Sequence, residues 1–132
     1  MRIERVQVGD LVLSQDVVSG ELGYKPVLRT TIRDPEPLVR VEVDRESFSV
    51  TPGHLFWVSG DAWQQAGKLN SALPLHTVDG VTTVLSVRPA SEERTFNLEV
   101  ADFHTYFVGK SRVLSHDVTA QRPVDVIVPG MR

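Results

Sequence analysis

Three of the four histidines lie next to turn signals, where side chains from distant parts of a chain can converge without filling a core. His54 closes the segment Thr51-Pro52-Gly53-His54, His104 opens an apolar stretch, and His116 directly precedes Asp117. The fourth histidine, His76, comes just before a hairpin signal, and we expect it at the surface. A hydroxyl, three imidazoles and a carboxylate could therefore meet in one pocket.

Such a cluster fits more than one chemistry. Three imidazoles and a carboxylate are plausible zinc ligands, although no histidine pair has the i, i+2 spacing of a strand or the i, i+4 spacing of a helix. Imidazole also gives and takes a proton near neutral pH. An Asp or Asn side chain can attack its own backbone carbonyl through a five-membered ring, a step favoured by proximity. Histidines that are merely hydrogen-bonded within a β domain are a further alternative.

The elements that must position these residues are predicted to be strands. Val alone accounts for 22 residues and Val, Ile and Thr for 34, a bias typical of a pleated, half-buried surface. Alternating patterns such as that of residues 39–43, bounded by Gly and Pro, predict about ten short strands in an all-β domain. Asp79-Gly80 and Gly109-Lys110 are hairpin signals. Trp63, Ala66 and Leu69 recur every three residues and predict one short helical turn.

Some stretches are more ambiguous. Ile3, Val6 and Val8 predict a short strand before the Gly9-Asp10 turn. Two prolines exclude Asp34–Pro37 from a central strand, so this stretch is a loop or an edge. The alternation of Val124, Val126 and Val128 fits a late strand or a tail. No repeat of 20–50 residues is evident.

Composition excludes several classes of protein. The length of 132 residues predicts one domain. Lys and Arg total 14 against 17 for Asp and Glu, which argues against a nucleic-acid or anionic-membrane binder. The longest apolar run is Leu55–Val58, too short to cross a membrane, and the N-terminus has no signal-peptide pattern. Zero cysteines exclude disulfides, thiolate nucleophiles and Cys-ligated metals, but fix neither compartment nor oligomeric state.

Six segments of the chain stand out together. They are residues 3–13 (IERVQVGDLVL), 24–27 (YKPV), 50–56 (VTPGHLF), 63–69 (WQQAGKL), 95–100 (TFNLEV) with 104–109 (HTYFVG), and 114–117 (LSHD). In these residues and in their order, the chain resembles the Hint (hedgehog/intein) superfamily, and most closely the Hint domains that precede the toxin domain in bacterial polymorphic toxins and Rhs-type proteins.

The resemblance implies a pseudo-twofold all-β horseshoe that cleaves its own chain, with its flanking polypeptide as the substrate and without a cofactor or metal. By motif, Thr51 and His54 would bind and protonate an N-terminal scissile amide, and His104 would be a general acid or base. His116 would polarise the carbonyl of Asp117, which occupies the cyclising position. Asn97 lies where many inteins have a catalytic Asp. A bacterial, exported toxin-type protein is the expected context.

The sequence departs from the family pattern in three places. The family's first strand, with its Cys or Ser nucleophile, is expected upstream of Ile3, so residues 1–117 would be a Hint domain without that strand. Asp117 replaces the cyclising Asn, and Val118 has no hydroxyl or thiol for ligation. We therefore expect a degenerate domain, capable at most of one single-turnover cleavage after Asp117 that separates the extension 118–132. A non-catalytic β scaffold or partner-binding module is the alternative.

Overall fold

Strands are the main regular structure of the described part of the chain, as predicted. The computed structural model describes residues 1–117 and 121–130; Val118 and the last residue of the predicted extension, Arg132, lie outside them. The nine strands of this part of the chain are β1 (Leu11–Gln15), β2 (Leu22–Val43), β3 (Ser47–Val50), β4 (Leu55–Trp57), β5 (Trp63–Gln65), β6 (Pro74–Thr77), β7 (Gly80–Val100), β8 (Thr105–Val108) and β9 (Val113–His116).

All nine strands pair antiparallel in one sheet. The order is β1-β2-β7-β6-β9-β4-β5, with β3 also paired to β2 and β8 to β9. β2 and β7 are far longer than the short strands we expected, at 22 and 21 residues. They pair with each other from Val27 opposite Val100 to Val43 opposite Val84, across several register shifts. These irregularities let the pair bend without ending, so patterns predicted as separate short strands merge into one.

The pseudo-twofold character that the resemblance implies is visible as an internal repeat, although no repeat of 20–50 residues was evident in the sequence alone. β3 ends at Val50 and β4 begins just after His54, while β7 ends at Val100 and β8 begins just after His104. The shared pattern is Val, three residues, His, one residue, two aromatic residues and Val, repeated at a spacing of 50 residues (50–58 and 100–108). So few positions are shared that the repeat is visible only once the strands are known.

Local predictions fared differently. The helical turn near Trp63 is confirmed as a 3-10 turn at Ala66–Lys68, and both hairpins form. The strand predicted around Ile3 is wrong, because Ile3–Arg5 is a 3-10 turn that buries Ile3. Asp34–Pro37 lies inside β2, where β7 is its partner on one side only, so the edge alternative is confirmed.

The region after β9 returns to the body of the domain. Gln121, Val124 and Asp125 to Ile127 make backbone hydrogen bonds to other parts of the chain. Isolated bridges, rather than a continuous strand, hold this segment. Among the residues described, no helix is long and apolar enough to span a membrane.

Candidate active site

The candidate site lies where β7 and β9 end and β8 begins. Pairing of Thr105 with His116 places the start of β8 beside the end of β9. His104, just before β8, and Asp117, just after β9, are therefore neighbours. Asn97 approaches the same point from β7.

Asp117 is anchored through both its backbone and its side chain. Its N–H donates to the carbonyl of His104 at 3.0 Å. Its Oδ2 accepts from the Val100 N–H at 2.9 Å and lies 3.1 Å from His104 Nδ1. Its Oδ1 lies 3.4 Å from His116 Nδ1, and its side chain is 6% exposed. The carboxylate is thus enclosed by hydrogen-bond donors.

These contacts set the charge of Asp117. Burial raises the pKa of the carboxyl group. The His116 imidazole, the Val100 N–H and the His104 imidazole together lower it by more, so that the pKa lies below its usual range. At neutral pH this side chain is an ionised carboxylate.

The backbone carbonyl of Asp117 faces a side-chain amide. Asn97 Nδ2 donates to that oxygen at 2.6 Å. The hydroxyl of Tyr106 donates to Asn97 Oδ1 at 2.7 Å and accepts from Gln121 Nε2 at 3.1 Å. Burial raises the pKa of Tyr106 well above its usual range, so the hydroxyl stays protonated. The hydroxyl therefore fixes which end of the Asn97 amide points at the carbonyl.

The backbone at His104 is bent into a conformation that L residues rarely adopt. His104 has φ 55° and Asp102 has φ 64°. Outside this turn, Lys25 Nζ lies 3.2 Å from Asp102 Oδ2 and 4.7 Å from the centre of the Phe103 ring. The turn lets one residue, His104, present both its carbonyl and its imidazole to Asp117. Strained residues of this kind are concentrated at functional sites.

His116 lies beside the carboxylate rather than at the carbonyl. Its ring packs edge-on against Trp63, with centroids 4.9 Å apart. Its Nδ1 is buried and makes no well-directed hydrogen bond, although Asp117 Oδ1 is 3.4 Å away. The donor at the Asp117 carbonyl is instead Asn97.

Thr51 and His54 form a second group, which contacts β9 at the residue before His116. The His54 N–H donates to the Thr51 carbonyl at 3.0 Å. His54 is fully buried, and its Nε2 is hydrogen-bonded to the Ser115 hydroxyl. Ser115 directly precedes His116, so the two groups are connected through β9.

The structure thus brings Asn97, His104, His116 and Asp117 together, with Thr51 and His54 one residue of β9 away. Sequence reasoning missed Ser115, Tyr106, Gln121 and the backbone of Val100. Tyr106 occupies the place of Phe56 in the repeated pattern. The hydroxyl that distinguishes the two residues was the sequence signal that could have pointed to a polar role for Tyr106. Gln121 carries no local signal, because it lies in what reads as a tail.

His76 takes no part in either group. It is half-buried rather than a surface residue. Its Nε2 lies 2.6 Å from Gln15 Oε1. Burial lowers its pKa. Within residues 1–117 and 121–130, no group of three or more potential metal ligands is arranged to hold a metal ion.

Comparison with solved structures defines the class of protein. The intein-like domain from Clostridium thermocellum is 31% identical, with a TM-score of 0.81 and 86% of each chain covered. The MchDnaB-1 intein is 22% identical, with a TM-score of 0.73 and 88% of each chain covered. A DnaB intein from Synechocystis sp. PCC 6803 is 15% identical, with a TM-score of 0.71, covering 84% of this chain and 80% of that one. The two more distant matches show a shared fold.

The family follows from the sequence match itself. The pretoxin HINT domain model matches residues 1–121, and this chain belongs to that family. No curated protein matches it. The resemblance predicted from six motifs is confirmed, as is the intein-like all-β fold.

Proposed function

We propose that this chain retains one reaction of a self-processing Hint domain, the cleavage of its own peptide bond after Asp117. Its substrate is its own flanking polypeptide within a pretoxin-type protein. The observation that supports this proposal most directly is the 2.6 Å hydrogen bond from Asn97 Nδ2 to the Asp117 carbonyl oxygen. A donor at this position stabilises the negative charge that develops on the oxygen when the carbonyl is attacked.

The attacking group is the side chain of Asp117. Oδ2 already accepts two hydrogen bonds, so Oδ1 is the oxygen available for attack. A bond from Oδ1 to the residue's own carbonyl carbon closes a five-membered anhydride and moves the charge to the oxygen facing Asn97. An ionised carboxylate, favoured by the lowered pKa, is the form that this step requires.

The leaving amine of Val118 needs a proton when the C–N bond breaks. His104 and His116 both place Nδ1 beside Asp117, and an imidazolium is suited to donate that proton. The side chain of His104 is 52% exposed and can be reprotonated from solvent. Water then opens the anhydride, restores the Asp117 carboxylate and leaves a second carboxyl group at the new C-terminus. Val118 carries no nucleophile, so this sequence of steps ends in cleavage and not in ligation.

The alternative is a non-catalytic β module. It is favoured by the hydrogen bonds that tie Gln121 and Val126, beyond the cleavage point, to the rest of the domain. In that case the carboxylate and imidazoles simply stabilise the end of β9.

Intact mass spectrometry separates the two functions. The purified chain is incubated at pH 6 to 8, and cleavage releases a fragment with the mass of residues 118–132. Asn97→Ala should slow the reaction about 10²- to 10³-fold, the usual effect of removing an oxyanion donor. Asn70, the other asparagine, is exposed, so Asn70→Ala serves as the matched control. An unchanged mass over days in every protein refutes the proposal in favour of the module.

A further inference from the structure

The segment 121–128, downstream of the proposed cleavage point, is held along its length by the body of the domain. Gln121 exchanges two backbone hydrogen bonds with Phe96, at 2.8 and 2.6 Å. The Val126 N–H donates to the Met1 carbonyl at 2.7 Å, and the Met1 amino group donates to the Val126 carbonyl at 2.9 Å. Between and beyond them, the Val124, Asp125 and Ile127 carbonyls accept from Ile3, Gly109 and Leu13, respectively.

Two side chains of this segment are buried in the domain. Val126 is 1% exposed and belongs to the main core cluster. Gln121 is also 1% exposed, and its amide donates to the Tyr106 hydroxyl. Arg122, between them, is exposed and forms a long surface ion pair with Glu93. The domain thus holds the backbone of this segment through hydrogen bonds and isolated bridges, while the pockets around Gln121 and Val126 select its side chains.

We propose that residues 1–117 form a receptor for the segment that follows their own cleavage site, and that segment 121–128 stays bound after the bond is cut. The ligand is a peptide that is hydrogen-bonded to the domain through its backbone, with a buried amide side chain at the fourth position after the cut and a buried β-branched residue at the ninth. This inference rests on the proposed function for the cut itself, but the binding does not depend on it.

The same contacts make Gln121 a positioning residue for the reaction. Its amide donates to Tyr106, Tyr106 donates to Asn97, and Asn97 donates to the Asp117 carbonyl. Segment 121–128 is therefore connected to the reacting bond through the side chains of Tyr106 and Asn97. A downstream sequence that does not fit would leave the Asn97 amide less firmly oriented.

An engineered cut tests retention without relying on self-cleavage. Residues 118–120 are replaced in the full chain by the recognition site of a specific protease, and the purified protein is cut there. We expect both pieces to elute together in size-exclusion chromatography, to appear as one complex by native mass spectrometry, and to separate only in denaturant. Separation of the pieces immediately after cutting overturns the proposal.

Two neighbouring substitutions test the selectivity. Gln121→Ala should speed dissociation of the cut fragment by roughly 10-fold or more, because a buried hydroxyl loses its donor. Arg122→Ala should leave the rate within about 2-fold, since exposed ion pairs contribute little. Equal rates for the two variants contradict a buried amide as the selecting group.

Hydrogen exchange of the unmodified chain provides a readout that needs no substitution. The N–H groups of Gln121 and Val126 should exchange as slowly as those of the long strands, whereas a tail would exchange as open chain. Retention of the engineered fragment by a chain that never cleaves itself supports the receptor and refutes only the proposed function. Self-cleavage followed by loss of the fragment supports the proposed function and refutes the receptor.

Discussion

The hydroxyl of Tyr106 is the most informative atom to remove. Tyr106→Phe keeps the buried ring but deletes the hydrogen bonds of 2.7 Å to Asn97 Oδ1 and 3.1 Å from Gln121 Nε2. The ring is fully buried, so water does not readily replace the hydroxyl. The substitution leaves Gln121 Nε2 and Asn97 Oδ1 without this partner, and each buried polar group left unpaired costs about 1–3 kcal/mol. The cost at Asn97 lies toward the lower end, because this residue is only half-buried. We expect the free energy of unfolding to fall by about 2–4 kcal/mol.

The effect on cleavage follows from the orientation of the Asn97 amide. Without the hydroxyl, the amide can turn and present its oxygen to the Asp117 carbonyl instead of its N–H. The rate of cleavage should then fall by as much as about 10³-fold, the limit set by complete loss of an oxyanion donor.

Urea unfolding measures the first effect and the rate of fragment formation by intact mass the second. Tyr24, the other tyrosine, is 41% exposed, so Tyr24→Phe should change the stability by less than about 0.5 kcal/mol and leave the cleavage rate unaltered. The reasoning is refuted if Tyr106→Phe is destabilised as expected but cleaves as fast as Tyr24→Phe.

Three further predictions concern Asp117 and one glycine. Asp117→Asn supplies an amide nitrogen for ring closure and should speed cleavage by about 10-fold or more, equivalent to about 1.4 kcal/mol of activation barrier. The intact-mass assay measures this rate, and a slower reaction contradicts the role of Asp117 as the attacking group. The pKa of the Asp117 carboxyl is lower in the folded chain than in the unfolded chain, where it is about 3.9. The ionised carboxylate therefore stabilises the fold fully above the unfolded-chain pKa, and this stabilisation is lost as the pH falls through the folded-chain pKa. Urea titrations should therefore show a steeper acid loss of stability in the wild type than in Asp117→Asn, and equal slopes would contradict this. Gly109→Ala should cost about 2–4 kcal/mol in urea unfolding, since at φ +76° its Cβ would lie 2.6 Å from Cε1 of the buried Phe48 ring. Gly60→Ala, at φ +74° with open space around it, should cost about 1 kcal/mol, and equal losses would refute the steric explanation.

The strands could be predicted from alternation and turn chemistry, but their lengths could not. Asp79-Gly80 and Gly109-Lys110 give local signals, because only certain residues suit their turns. Residues 34–37 look like a break, since proline removes ladder donors. β2 nevertheless continues through them, because β7 pairs with it there on one side only. Whether a proline ends a strand depends on a partner about 60 residues away, which no local pattern encodes.

The site was predictable where a motif marked it and hidden where it depended on burial. His104, His116 and Asp117 were found by residue type and position. The carbonyl facing Asn97 could not be inferred from the sequence, since it depends on the orientation of one amide. Gln121 reaches Tyr106 only because the chain turns back to the domain after β9. This contact between distant residues leaves no local sequence pattern.

The pairing of Met1 with Val126, 125 residues apart, also bears on timing during synthesis. Contacts between residues so far apart in sequence cannot form until the later residue has left the ribosome, and such non-local pairing is slow to form. The site around Asp117 would thus be completed only after the downstream segment has been translated. The proposed cleavage would therefore be post-translational, and a ribosome stalled before Gln121 would carry a domain that lacks the Gln121 contact to Tyr106.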